Sequence, residues 1–327
     1  KIYGVSADDG IPMWVADADF PSPACITDRL RAEIERGFFG YTNVDTEYRA
    51  AIQWWMSTRH SWQIEPEWIF TTTGLVNAVG LCLDAYTDPG DEILLFTPVY
   101  HAFARAINSA GRVVRECQMK VVDGRHVIDY DAYDSLVRDR AKMVIFCSPH
   151  TPGGQVWTAE ELSGLAAFVK KHDLLLLSDE IHQDLVFSGH RHLPLPLAEP
   201  SVIDRTIVLN APSKTFNIAG LHTGNVNITD PELRARFDKR LSELSLAGFS
   251  LGQIALIAAY SPEGAAWVDR QMAYLDRNRR LFDDTIAAIP GLASMSLDGT
   301  YLSWVDFSGT GMSAREFLDR VEKKARI

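Results

Sequence analysis

Between residues 68 and 228, short apolar runs rich in β-branched and aromatic residues recur, separated by amphipathic stretches of helical length. That alternation is the α/β signature, because each strand is followed by a segment long enough to return the chain to the sheet. The runs at 69–72, 92–97, 113–116, 143–147, 174–178, 206–210 and 223–228 predict one large, mostly parallel sheet of seven strands. Helices are expected over 159–172, where Leu162, Leu165, Phe168 and Val169 fall at helical spacing, and along the charged amphipathic segment 263–289. Beyond Pro290-Gly291, strands at 292–297 and 301–307 and a helix from Ser313 predict a smaller α+β domain that is cut short. The expected organisation is an N-terminal segment 1–30 associated with the small domain, a large domain 31–265, and an incomplete small C-terminal domain 266–327.

Composition removes several function classes. The 327 residues are 46% hydrophobic and 23% charged, which is ordinary for a globular chain. With 32 Lys+Arg against 43 Asp+Glu the net charge is −11, the wrong sign for gripping a nucleic-acid backbone. Cys25, Cys82, Cys117 and Cys147 are scattered without a C-x-x-C pair, so neither a zinc site nor a disulfide framework is expected and a reducing, cytoplasmic compartment is the default. The start, Lys1-Ile2-Tyr3-Gly4-Val5, lacks the apolar run of a signal peptide. The uncharged stretch 244–262 is interrupted by Ser245, Gly248, Ser250, Gly252 and Gln253, so it reads as a buried helix with its lead-in loop and no membrane is expected as a partner.

The strongest local signal is Asn210-Ala211-Pro212-Ser213-Lys214-Thr215-Phe216-Asn217, directly after an expected strand. Carboxyl ends of strands are where α/β proteins place ligands. Upstream, the apolar run 174–177 ends in Ser178-Asp179-Glu180-Ile181-His182, which sets Asp179 at the same sheet edge as Lys214. A buried carboxylate there needs a cationic partner. Pyridoxal 5′-phosphate uses both groups: an amine for the Schiff base and a carboxylate that keeps its pyridine nitrogen protonated.

These stretches, with Trp14-Val15-Ala16-Asp17-Ala18-Asp19-Phe20, Gly40-Tyr41-Thr42, Thr97-Pro98-Val99-Tyr100-His101-Ala102-Phe103 and Ser148-Pro149-His150, resemble fold-type I pyridoxal-phosphate enzymes of the class I/II aminotransferase superfamily. Within it, the resemblance is nearest to the MalY/PatB group of cystathionine β-lyases and runs over essentially the whole chain. It implies a three-layer α/β sandwich and a carbon–sulfur β-lyase that converts cystathionine or an S-substituted cysteine to pyruvate, ammonia and a thiol. It further implies that Lys214 carries the cofactor and acts as general base, that Asp179 pairs with the pyridine nitrogen, and that Tyr100 stacks on the ring. The turn Gly74-Leu75-Val76, opening a helix, is implied to cradle the phosphate with Ser213 adding a hydroxyl. Tyr41 is implied to reach the phosphate of a neighbouring subunit, which requires a homodimer. His182, following the acidic pair, is expected near the cofactor or as a packed polar residue.

Two positions depart from the family pattern. Thr151 stands where an Asn usually contacts the cofactor's phenolic oxygen, offering one hydroxyl for an amide. An Arg-Leu-Asn-like segment that clamps the substrate carboxylate is absent before Ile327, and neither Arg320 nor Arg326 is assigned that role. Lysine and carboxylate alone do not separate a lyase from an aminotransferase, and Thr151 with the missing clamp leaves a weakly active, cofactor-binding regulatory protein as a further alternative. His190-Arg191-His192 reads as a loop without metal, and Trp54-Trp55 as core or dimer interface.

Overall fold

The computed structural model describes residues 9–13, 15–41 and 43–327; Trp14, Thr42 and the N-terminal Lys1-Ile2-Tyr3-Gly4-Val5 lie outside the described residues. Among the described residues eleven strands occur: β1 (Ile69–Thr72), β2 (Glu92–Thr97), β3 (Val113–Gln118), β4 (Lys120–Val122), β5 (Arg125–Val127), β6 (Ala141–Cys147), β7 (Leu175–Asp179), β8 (Thr206–Asn210), β9 (Gly224–Ile228), β10 (Ala293–Ser294) and β11 (Val305–Asp306). Seven of them form one sheet in the order β1-β9-β8-β7-β6-β2-β3. Only β9 runs against its neighbours, pairing antiparallel with both β1 and β8.

The central strands are largely apolar because both faces are covered. Successive residues point to opposite faces. Ile93, Leu95, Met143, Ile145 and Leu177 therefore pack on one side against the helices Leu75–Tyr86 and Pro231–Glu243. Leu94, Phe96, Val144, Phe146 and Leu176 pack on the other against Ala159–Lys171. That helix starts with a capping box in which Thr158 and Glu161 satisfy each other's backbone N–H groups. A third cluster joins the helices Asp45–His60, Ser250–Ala259 and Pro262–Ala287 around Trp55, Ile52, Phe216 and Tyr260.

The C-terminal region differs from expectation. The strands expected over 292–297 and 301–307 contract to two paired residues each. The connecting chain turns away because its backbone bonds to the sheet's loops instead: Asp298 and Gly299 N–H both donate to Gly154 O at 2.9 and 2.8 Å, and Thr300 N–H donates to Leu185 O at 2.6 Å. The buried Asp298 carboxylate fixes this connection through Arg125 at 2.6 Å. Among the described residues no helix is long and apolar enough to cross a membrane.

Candidate active site

The parallel strands β6, β7 and β8 end side by side, with Cys147 opposite Asp179 and Asp179 opposite Leu209. Each end feeds a loop carrying one expected residue: Thr151 after β6, Asp179 at the tip of β7, and Lys214 after β8. The carboxyl ends of β1 and β2 add Gly74 and Tyr100 at the same edge. The topology alone thus gathers residues that are far apart in sequence.

Lys214 sits in the four-residue turn Pro212–Thr215. Its Nζ donates to Ala16 O at 2.7 Å, and the Tyr301 hydroxyl donates to the same carbonyl at 2.9 Å. Burial holds the amine below the ordinary lysine range, opposed by the carboxylates of Asp17 and Asp179. The Ala16 loop is itself tied down by Asn217, whose Nδ2 donates to Ala18 O and Phe20 O at 2.8 and 3.0 Å.

Asp179 is buried, and burial raises its pKa to about 7, aided by Glu180 and opposed by the Ile181 N–H and by Lys214. The Ile181 N–H donates to its Oδ1 at 3.0 Å. His182 is buried edge-on to Tyr301, with ring centroids 5.8 Å apart. Burial and the nearby Lys214 lower its pKa to about 3, so the imidazole is neutral, and its Nδ1 has no hydrogen-bond partner among the described residues. Thr151 Oγ1 is buried against the Cys147 thiol and has no nitrogen or oxygen partner among the described residues.

Gly74 has φ +99° with nothing within 4 Å of where a Cβ would stand, so only a glycine suits this conformation and the space beside it is open. It caps the helix Leu75–Tyr86, in which Leu75 is buried and Val76 exposed. Tyr100 precedes the helix His101–Ser109, is 39% exposed, and meets His101 and Phe103 edge-on at 5.0 and 5.7 Å. Ser213 is half-buried beside Lys214. Tyr41 is fully exposed and is not brought together with the others within this chain.

Sequence reasoning missed the buried polar groups that surround Asp179 and the lysine-bearing turn. Glu180 accepts Ser178 Oγ at 2.9 Å, Leu195 N–H at 3.0 Å and His192 Nε2 at 2.9 Å. His192, expected in an ordinary loop, is thus a buried partner of the acidic pair. Asp184 accepts Trp55 Nε1, His60 Nε2 and Thr215 Oγ1 at 3.0, 2.7 and 2.8 Å. Asn225 Nδ2 donates to Asn210 Oδ1 at 3.1 Å, and the Tyr48 hydroxyl donates to Asn225 Oδ1. The available signal was polar residues inside or just after apolar strands, each of which must find a partner when buried. Trp55, left between core and interface, is fully buried.

A cleft of about 990 Å³ opens beside this edge, walled by Asp17–Phe20, the helix Pro262–Ala287 and residues 297 and 301–304, and reaching Pro152 next to Thr151. Its lining is mostly apolar, with Arg270 and Arg279 among its charged members.

The aminotransferase class I and II family model matches residues 15–325. Cystathionine beta-lyase PatB of Bacillus subtilis is 34% identical, the match covering 100% of this chain and 84% of PatB. Among solved structures, cystalysin from Treponema denticola, which contains a pyridoxal 5′-phosphate cofactor, superposes with a TM-score of 0.93 at 36% identity over 98% of this chain and 82% of cystalysin. A pyridoxal-phosphate-bound C-S lyase from Staphylococcus hominis, captured with L-cycloserine, gives 0.86 at 32% identity over 93% of this chain and 76% of the lyase. Fold, strand-end geometry and full-length similarity agree, and the chain belongs to the class I and II aminotransferase family.

Proposed function

We propose that this chain is a pyridoxal-phosphate-dependent carbon–sulfur β-lyase acting on cystathionine or another S-substituted L-cysteine. The observation that carries the reading is the half-buried Lys214 amine and the buried Asp179 carboxylate, close enough at adjacent strand ends to shift each other's pKa, in a chain 34% identical to a cystathionine β-lyase over its whole length.

The residues fit the cofactor. Among the described residues, His182 Nδ1 is a buried polar atom without a partner, Thr151 Oγ1 meets only the Cys147 thiol, and Gly74 leaves open space at a helix N-terminus. Lys214 would hold the cofactor covalently, Asp179 its ring nitrogen, and the N–H groups of Gly74, Leu75 and Val76 with the Ser213 hydroxyl its phosphate. Tyr100 would cover the ring, with Thr151 and His182 at its polar edge. When bound, pyridoxal phosphate supplies an electron sink for bond cleavage at the substrate's α- and β-carbons.

The rest of the chemistry belongs to the chain. Lys214 Nζ, released by the incoming amine, takes the Cα proton; its lowered pKa keeps more of it in the neutral form that a base requires. Asp179 would hold positive charge on the ring nitrogen, which a buried carboxylate does well once paired. Residues 31–265 would carry the cofactor, while Asp17–Phe20 and the part of 266–327 that walls the cleft would face the substrate. Loss of thiolate from Cβ separates this reading from transamination by the same residues. Purified protein loaded with cofactor should release pyruvate and thiol in equal amounts from L-cystathionine; conversion of a 2-oxo acid to an amino acid without pyruvate would make it an aminotransferase, and neither product would leave a regulatory role.

The same reading makes the protein a cytoplasmic homodimer in which Tyr41 serves the partner's site. Phe38, Phe39 and Tyr41 form an exposed aromatic run, and Leu244, Leu246 and Phe249 are exposed as well, more apolar surface than an isolated chain needs. Sedimentation should give the mass of two chains, and Tyr41→Phe should weaken cofactor binding about tenfold, the scale of one lost charge-assisted hydrogen bond. A monomer with full activity would exclude this role for Tyr41.

A further inference from the structure

We propose that Asp184 and Thr215 are positioning residues for Lys214: the buried carboxylate accepts the Thr215 hydroxyl and so fixes the lysine-bearing turn against the helix Asp45–His60. The inference rests on the reading of Lys214 as the reactive amine.

The turn Pro212–Thr215 is four residues long and its N-cap, Ala211, has no side-chain cap. One turn of helix cannot hold its own geometry, and a lysine's long flexible stem amplifies any rocking of its backbone. Something outside the turn must fix it. Thr215, the residue after Lys214, is fully buried and donates Oγ1 to Asp184 Oδ2 at 2.8 Å. The other oxygen of that carboxylate is held from the opposite side by Trp55 Nε1 at 3.0 Å and His60 Nε2 at 2.7 Å, both on the helix Asp45–His60. Phe216 completes the junction by packing edge-on to Trp55 at 5.5 Å. Burying a carboxylate is costly unless its acceptor sites are filled, and here three donors fill them. An apolar contact would fill the same space without this directionality, whereas three aligned bonds fix the Thr215 rotamer and with it the register of Lys214. Misplacing a reactive group by about 1 Å can cost about 100-fold in rate.

Thr215→Val keeps the shape and removes the donor; Thr215→Ser restores it. With cofactor-loaded protein, Thr215→Val is expected to retain its fold by circular dichroism, keep KM within about twofold, and lose kcat by about 10- to 100-fold. The pH midpoint of its visible absorbance, recorded without substrate, should move as the lysine's surroundings change, and Thr215→Ser should recover both quantities. Should Thr215→Val fail to fold, Asp184→Asn, which keeps the shape and loses the charge, is read in the same way. Wild-type kcat and midpoint in a folded variant overturn the proposal, as does a loss that serine does not recover. Failure of the underlying reading looks different: Lys214→Ala would then keep its visible absorbance and its turnover.

Discussion

Replacing Lys214 with alanine is expected to remove the visible absorbance of lysine-bound cofactor and to lower pyruvate release from L-cystathionine by at least about 10⁴-fold. Loss of a positioned general base accounts for about 10²–10⁴ of this, and loss of the covalent attachment adds to it. The fold should survive. Lys214 is half-buried, its amine is disfavoured in charged form by that burial, and its one direct bond is to Ala16 O, so removal relieves a desolvated cation at the expense of one hydrogen bond. A thermal melt of the cofactor-free variant should therefore lie within a few degrees of wild type, while spectrum and turnover vanish together. Spectral loss with retained pyruvate release would show that another group takes the Cα proton.

The sheet was legible because its strands are buried on both faces and announce themselves as apolar runs; 69–72, 92–97 and 206–210 coincide with the observed β1, β2 and β8. Lys214 and Asp179 were legible for the same reason, being charged residues where such runs stop. Legibility ended where a residue's role is set by chain distant in sequence. Nothing local to Asp184 announces Trp55, His60 and Thr215 as partners, nor does anything near Lys214 announce Ala16, 198 positions away. The strands expected at 292–297 and 301–307 failed similarly. Their composition suits a strand, yet the chain between them turns to bond Gly154 and Leu185 in loops of the large sheet. Tyr41 stays exposed in this chain, and nothing within it fixes a role for that ring.

Asp179→Asn is expected to stabilise the cofactor-free protein while lowering turnover, and the sign of the first effect follows from the raised pKa. With the Asp179 carboxyl at about 7 in the fold and near 4 in the unfolded chain, the folded protein retains a proton that the unfolded chain has released throughout that interval. Stability of the cofactor-free protein therefore falls as pH rises from about 4 to about 7 and levels off above it, with this residue contributing roughly 4 kcal/mol to the decline. Asparagine has no charge to desolvate and keeps an oxygen for the Ile181 N–H that Asp179 now accepts. Urea unfolding of cofactor-free wild type and variant should accordingly agree near pH 4 and diverge in the variant's favour by pH 8. Asp184 cannot mimic this: burial pushes its carboxyl up, but the bonds and charge of His60 outweigh that and hold it below the usual range. Its stabilisation is present above the unfolded value and is lost as pH falls through the lower folded one. In the loaded enzyme the balance reverses, since an amide cannot hold positive charge on the ring nitrogen, and kcat should drop by about 10²-fold or more. A variant both more stable without cofactor and slower with it would identify Asp179 as a group whose folding cost is retained for function; parallel stability profiles for the two proteins would remove the buried charge from that role.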